Sequence, residues 1–195
     1  MPSRAGGASD YSQLPDDLPV PVDDGAAAHL RGSRLPALEL PATDGRHLTL
    51  NALGAGRSVL YVYPMTGRPG VALPEGWDAI PGARGCTPES CGFRDHHDEL
   101  HRAGAARVFG LSSQDTDYQR EAAQRLQLPF PLLSDAGLAL AAEPGLPTFA
   151  VDGVRLFARI TLLVRDDIIE HVWYPVFPPD RHAGQVLAWL RTDPP

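Results

Sequence analysis

Short apolar runs alternate along the chain with segments in which apolar residues recur every three or four positions. The continuous run of β-favouring residues at 58–63 predicts a buried strand. Residues 116–126 carry three apolar side chains at helical spacing and predict an amphipathic helix. The same patterns predict further strands at 107–111, 132–133, 159–164 and 168–174, and further helices at 88–102 and 180–191. This alternation predicts an α/β fold, and the strand pair near the end of the chain makes its sheet mixed.

Two stretches rich in proline and glycine show neither the apolar runs of strands nor the helical spacing of apolar residues. Residues 1–29 are predicted to form an arm with little structure of its own, part of which can lie on the domain that follows. Residues 30–195 are predicted to form that single domain. The second stretch, residues 64–85, is predicted to be a long loop between the first long strand and the next helix.

The composition fits a folded protein and excludes several classes of partner. Hydrophobic residues make up 43% of the 195 positions, enough for a buried core. The formal net charge is -7 and no basic block is present, so we expect neither a nucleic acid nor an anionic membrane as partner. No apolar run approaches the ~20 residues of a membrane helix, and the N-terminal residues lack the apolar stretch of a signal peptide. We therefore expect a cytoplasmic protein, in a compartment where stable disulfides are rare.

The candidate chemistry lies with the two cysteines of the chain, Cys86 and Cys91. Cys86 is placed where the long loop meets the start of a helix. The free N–H groups and positive end of a helix stabilise a thiolate, so the pKa of this thiol is expected to fall. Arg84 and Arg94 can add positive charge nearby.

From spacing alone, other interpretations of the cysteines stay open. Two free cysteines can simply be small buried hydrophobic residues. A zinc site needs two further ligands, and four residues between cysteines lie outside the usual spacing. His97 and His101 are four apart on the predicted helix and could form half a metal site, but their charged neighbours favour a solvated face.

Several motifs resemble the peroxiredoxins in order and spacing, and the nearest group is peroxiredoxin Q, also called bacterioferritin comigratory protein. The resemblance covers roughly residues 30–192. The motifs that carry it are GSRLPALEL (32–40), VLYVYP (59–64), GCTPESCGFRD (85–95), GAARVFGLSSQD (104–115), LPFPLLSD (128–135) and ARITLLVRDDII (158–169).

The resemblance implies a thioredoxin-like fold, with a central mixed β-sheet flanked by helices, and a thiol peroxidase that reduces hydrogen peroxide and organic hydroperoxides. It implies that Cys86 is the peroxidatic and Cys91 the resolving cysteine, joined in an intramolecular disulfide during turnover. Arg159 matches the family arginine that holds the thiolate and the peroxide, and Glu89 matches an acidic position that orients an arginine. The implied reductant is thioredoxin or a similar dithiol, with no metal or organic cofactor, acting on a monomer or weak dimer.

The chain departs from the family pattern before the nucleophile. Ala83 stands where the family has Thr or Ser, so a hydroxyl that assists the thiolate and peroxide is missing from its expected place. Arg84 stands in place of Pro, and we assign Arg84, Thr66 and Thr87 to substrate binding. This departure leaves open a redox sensor, or a disulfide reductase on the same fold, with weak peroxidase turnover.

The loop at 65–83 is longer than the family pattern, because Pro64 lies 22 positions before Cys86. Its apolar residues Trp77 and Ile80 need cover, so we expect this loop to cap the pocket rather than hang free.

The cysteine spacing also predicts a conformational change. On one α-helix, Cα atoms five residues apart are separated by about 8.6 Å. A disulfide tolerates at most ~7 Å between Cα atoms. The first turns of the helix must therefore unwind before the two sulfurs can bond.

Overall fold

The computed structural model describes residues 11–193 and has nine strands and five α-helices in that range. The strands are β1 (Glu39–Pro41), β2 (His47–Thr49), β3 (Arg57–Val62), β4 (Ala105–Ser112), β5 (Leu132–Ser134), β6 (Thr148–Val151), β7 (Val154–Phe157), β8 (Ile160–Arg165) and β9 (Ile168–Trp173). The helices are α1 (Cys86–Asp95), α2 (His97–Arg102), α3 (Thr116–Arg125), α4 (Ala139–Ala142) and α5 (His182–Thr192), with 3₁₀ turns at Leu50–Ala52, Trp77–Ala79 and Pro179–Arg181.

Five strands form the central sheet, in the order β5-β4-β3-β8-β9. The pairs β3–β4 and β4–β5 are parallel, whereas β3–β8 and β8–β9 are antiparallel. The predicted α/β fold with a mixed sheet is therefore confirmed. β3 lies at the centre, and all six of its residues are buried.

The sheet separates two apolar layers, because successive strand residues point to opposite faces. On one face, Leu60 and Leu162 pack in a cluster that also contains Leu30 of the N-terminal segment. On the other face, Tyr61 packs with Phe93 of α1 and with residues of α2 and α5. Three apolar residues of α5 are buried in this layer: Val186, Leu187 and Leu190.

The helix predicted at 88–102 differs from the structure in two respects. It begins two residues earlier, at Cys86, and it is interrupted at His96, where α1 ends and α2 begins. The earlier start depends on Gly85, whose φ of 107° lies in the left-handed region. A Cβ at this position would also overlap the side chain of Pro179. Glycine is therefore the residue that permits this entry into α1.

Residues 11–33 contain turns but neither helix nor strand, and they lie on the domain. Tyr11, Ala27 and Leu30 are buried there. The boundary at residue 30 stays a prediction, and residues 1–10 of the expected arm lie outside the described residues. Within residues 11–193, no helix has both the length and the apolar character needed to span a bilayer.

Candidate active site

The sheet brings the two ends of the candidate site together. In the β3–β8 ladder Val62 is opposite Ile160, so Arg159, one residue before Ile160, lies at the end of the sheet where β3 leads into the long loop. That loop passes through Met65 and returns to Cys86 at the first position of α1. Residues distant in sequence thus meet at one edge of the sheet.

Cys86 is buried, with 3% of its surface exposed. Its Sγ is 3.2 Å from Nη2 of Arg159 and 3.6 Å from the carbonyl oxygen of Ala83. The backbone N–H of Met65 also donates to the sulfur. The sulfur is therefore held by one guanidinium and one backbone amide in a closed pocket.

Arg159 clamps the loop that precedes Cys86. Its Nε donates to the Gly82 carbonyl at 3.2 Å, and its Nη2 donates to the carbonyls of Ala83 and Arg84 at 3.1 Å each. Its Nη1 pairs with Oε2 of Glu89. One buried guanidinium therefore joins the loop, the helix and the reactive sulfur.

Glu89 lies one turn into α1 and is fully buried. Burial raises the pKa of its carboxyl to about 7, although the Arg159 guanidinium acts in the opposite direction. Its second oxygen, Oε1, has no hydrogen-bond partner within residues 11–193. The contact with Arg159 is the one that the resemblance implied for this position.

The expected fall in the pKa of Cys86 is not what the closed pocket produces. Burial raises the pKa of this thiol, and the Glu89 carboxylate raises it further. Arg159 and the Met65 amide lower the pKa but do not offset burial. The expectation was wrong because it counted the helix terminus and the nearby charges without the cost of desolvation. Cys86 and Glu89 both contact the same guanidinium.

Cys91 lies on the same helix as Cys86 and is half-buried. Burial raises the pKa of its thiol, while Arg94 lowers it. Both cysteines are free thiols, and every residue between them is helical. The arrangement that requires unwinding before a disulfide can form is therefore present.

The three residues assigned to substrate binding have different surroundings. The Thr87 hydroxyl is buried and has no hydrogen-bond partner in the described part of the chain, which leaves it free for a ligand. The Thr66 hydroxyl donates to Oε1 of Gln114 at 3.2 Å. The Arg84 guanidinium pairs with Asp78 at 3.1 Å and lies over the Tyr11 ring, and the Arg84 backbone carbonyl accepts from Arg159.

Of the two histidines expected on a solvated face, His101 is exposed, whereas His97 is partly buried. The side chain of His97 is only 18% exposed, packs near Phe130 and has a pKa lowered by burial. Its Nε2 is 3.0 Å from Nε2 of His101. Among residues 11–193, no group of three or more His, Cys, Asp and Glu side chains is placed to hold a metal ion.

The long loop packs on the protein, as its apolar residues predicted. Trp77 is buried and lies 6.0 Å from Phe149, ring centre to ring centre, on the β6–β7 hairpin. Ala83 belongs to the same apolar cluster, and Met65 and Ile80 pack against it. Sequence reasoning missed the Met65 amide and the three carbonyls that bind Arg159, because backbone groups carry no residue-specific signal.

A family model described as redoxin matches residues 30–187. A chloroplastic peroxiredoxin Q from Oryza sativa subsp. japonica is 30% identical over 162 residues, which cover 83% of this chain and 67% of the relative. A protein from Coxiella burnetii named putative peroxiredoxin bcp is 31% identical over 166 residues, which cover 82% of this chain and 97% of the relative.

The crystal structure of peroxidoxin BcpB from Mycobacterium tuberculosis is similar to this fold, with a TM-score of 0.65 and 30% identity. The match covers 84% of this chain and 97% of that one. The family model, the relatives and the fold all indicate one family. The chain therefore belongs to the redoxin family, and within it to the peroxiredoxin Q group.

Proposed function

We propose that the protein is a thiol peroxidase that reduces hydrogen peroxide and organic hydroperoxides through Cys86. The observation that carries this proposal is the 3.2 Å contact between Cys86 Sγ and Arg159 Nη2 in a buried pocket. The cation at this distance offsets part of the burial that raises the pKa of the Cys86 thiol, and so favours the thiolate, the reactive form of cysteine.

In the first step, the Cys86 thiolate attacks the terminal oxygen of the peroxide. The S–O bond forms as the O–O bond breaks, giving Cys86 sulfenic acid and an alkoxide or hydroxide that takes up a proton. Arg159 stabilises the charge on the leaving oxygen, and Glu89 fixes the direction of the guanidinium. The unpaired Thr87 hydroxyl is a further donor for the peroxide.

In the second step, the Cys91 thiol attacks the sulfenic acid. A Cys86–Cys91 disulfide forms and one water leaves, after α1 has opened. A dithiol of the thioredoxin type then restores both thiols by exchange. We propose the cytoplasm as the reducing compartment in which this cycle runs. Because both cysteines belong to one chain, we propose a monomer or weak dimer as the working form.

Peroxide consumption coupled to thioredoxin and its reductase tests the proposal. Wild type should turn over, Cys86→Ser should be inactive, and Cys91→Ser should react once and then stop. Turnover that survives in Cys86→Ser would contradict the proposal. A wild type that forms the disulfide but does not turn over would instead indicate a redox sensor, the alternative suggested by the missing hydroxyl at Ala83.

A further inference from the structure

Gln114, in the connection between β4 and α3, makes three hydrogen bonds to one residue of the long loop. Its Oε1 accepts from the backbone N–H of Thr66 at 2.9 Å and from the Thr66 hydroxyl at 3.2 Å, and its Nε2 donates to the Thr66 carbonyl at 3.2 Å. Thr66 is 1% exposed. Three partly buried hydrogen bonds fix this residue more firmly than packing alone would.

Gln114 is itself fixed by hydrogen bonds from two other residues. The backbone carbonyl of Gln114 accepts from Nε2 of Gln119 at 2.8 Å and from the hydroxyl of Ser134 at 2.7 Å. Gln119 is fully buried and accepts a bond from the Tyr63 hydroxyl. The amide of Gln114 is therefore a fixed point on the sheet side of the pocket.

The residue before Thr66 is Met65, whose N–H faces the Cys86 sulfur. The Met65 side chain packs against the apolar cluster that contains Ala83, and the Ala83 carbonyl is 3.6 Å from the same sulfur. Met65 and Ala83 thus both meet the sulfur through backbone groups.

We propose that Gln114 is a positioning residue, which holds Thr66 so that the neighbouring Met65 N–H supplies the Cys86 sulfur with the donor that Ala83 lacks. This inference rests on the proposed function, because it concerns the same thiolate. Gln114 touches neither the sulfur nor the peroxide and acts through the backbone of the loop.

The test is the pH profile of peroxide attack in single turnover, with Gln114→Met as the variant. Loss of the bonds to Thr66 releases the Met65 amide, so the pKa of Cys86 should rise and the rate below that pKa should fall about tenfold. At high pH, where the thiol is fully ionised, the variant should reach the wild-type rate. Gln124→Met, an exposed glutamine on α3, is the matched control and should keep the wild-type profile.

If Gln114→Met does not fold, Thr66→Val gives a second test, because it removes the hydroxyl bond alone and should shift the profile less but in the same direction. An unshifted profile in the folded variants would overturn the inference. So would a fall in rate that is equal at every pH, since that indicates general damage. A wild type without a Cys86-dependent reaction would contradict the proposed function as well.

A separate set of contacts concerns the N-terminal arm, which packs on the long loop and on the two residues just before Cys86. The Tyr11 ring lies against the backbone of Gly67 and under the Arg84 guanidinium, 5.3 Å from ring centre to Cζ. The Tyr11 hydroxyl donates to the Val71 carbonyl. Leu14 lies against Gly85, where a Cβ would overlap its side chain.

Opening of α1 must break the contacts to Arg84 and Gly85, because these two residues directly precede Cys86 and move with it when the first turn unwinds. We infer that the arm is a strap, which keeps Cys86 in the peroxide-reactive form and limits the rate at which Cys91 reaches it. This inference rests on the proposed disulfide step.

The strap is tested by the rate of disulfide formation after a pulse of peroxide, followed by rapid alkylation and mass spectrometry. Tyr11→Ala and Leu14→Ala should each form the disulfide about tenfold faster than wild type, because lost packing lowers the barrier to opening. A second peroxide oxidises Cys86 sulfenic acid to sulfinic acid with release of water, and this product should decrease in both variants. Val22→Ala, which is 83% exposed on the same arm, is the control.

Unchanged rates of disulfide formation in both folded variants would overturn the strap. Wild type that forms sulfenic acid but never a disulfide would contradict the resolving step itself, and the strap with it.

Discussion

A single guanidinium joins the parts of the site at the scale of residues. Arg159 is 3% exposed, and its charge is shared between Glu89 and Cys86. Breaking a buried ion pair leaves the partner charge without compensation, whereas removing both charges together costs much less. The stability of the fold therefore depends on the pairing of Arg159 with Glu89, whereas catalysis depends on the contact of Arg159 with Cys86.

Arg159→Met should slow peroxide attack and destabilise the fold by about 3–5 kcal/mol, because the buried Glu89 carboxyl and the loop carbonyls at 82–84 lose their partner. The double variant with Glu89→Leu should recover most of that stability but not the rate. Chemical denaturation and single-turnover kinetics measure the two effects. Recovery of the rate in the double variant would show that Arg159 serves only the fold.

His182 gives a pH dependence of stability that can be isolated. It is fully buried, with Nε2 2.8 Å from the Thr161 hydroxyl, and burial lowers its pKa from 6.5 to about 4. The unfolded chain binds the proton more readily, so this stability is present above pH 6.5 and is lost as pH falls toward 4. The loss amounts to about 3 kcal/mol.

His182→Gln should remove that part of the pH dependence, as measured by denaturant unfolding between pH 4 and 7. His47→Gln, on an exposed side chain, is the control and should keep the wild-type slope. Identical slopes for wild type and His182→Gln would contradict a buried neutral imidazole.

At the scale of elements, the pattern of apolar residues predicted the long strands and helices and missed the short ones. β3 and α3 follow continuous or periodic apolar residues, and both were predicted almost to their ends. The β6–β7 hairpin was missed, because strands of four residues carry too little pattern to separate from loops. The break at His96 was missed for a similar reason, since the sequence there favours helix on both sides.

The cysteine helix should lose structure on oxidation. Cys86 and Cys91 lie within α1, where their Cα atoms are too far apart for a disulfide. The oxidised protein should show less helix by far-ultraviolet circular dichroism and faster hydrogen exchange at residues 86–95. Cys91→Ser treated with peroxide is the control and should keep its helix. Equal helix content and protection in both states would mean that the cysteines do not pair within one chain.

At the scale of the whole molecule, topology assembles a site that spacing alone did not define. The motifs and the family resemblance were sufficient to choose Cys86, Arg159 and Glu89. They were not sufficient for Met65 and Gln114, because those contacts depend on how the long loop folds back against the β4–α3 connection. Burial of the pocket also reversed the expected direction of the Cys86 pKa, which depends on packing that no local motif records.

The central claim is that Cys86 is the residue that peroxide oxidises first. The most direct measurement is a sulfenic-acid probe applied to Cys91→Ser after one equivalent of peroxide, with the adduct located by mass spectrometry. The account predicts one adduct, on Cys86, and none in Cys86→Ser. In that second variant an adduct on Cys91 would contradict the account, as would the absence of any adduct from Cys91→Ser.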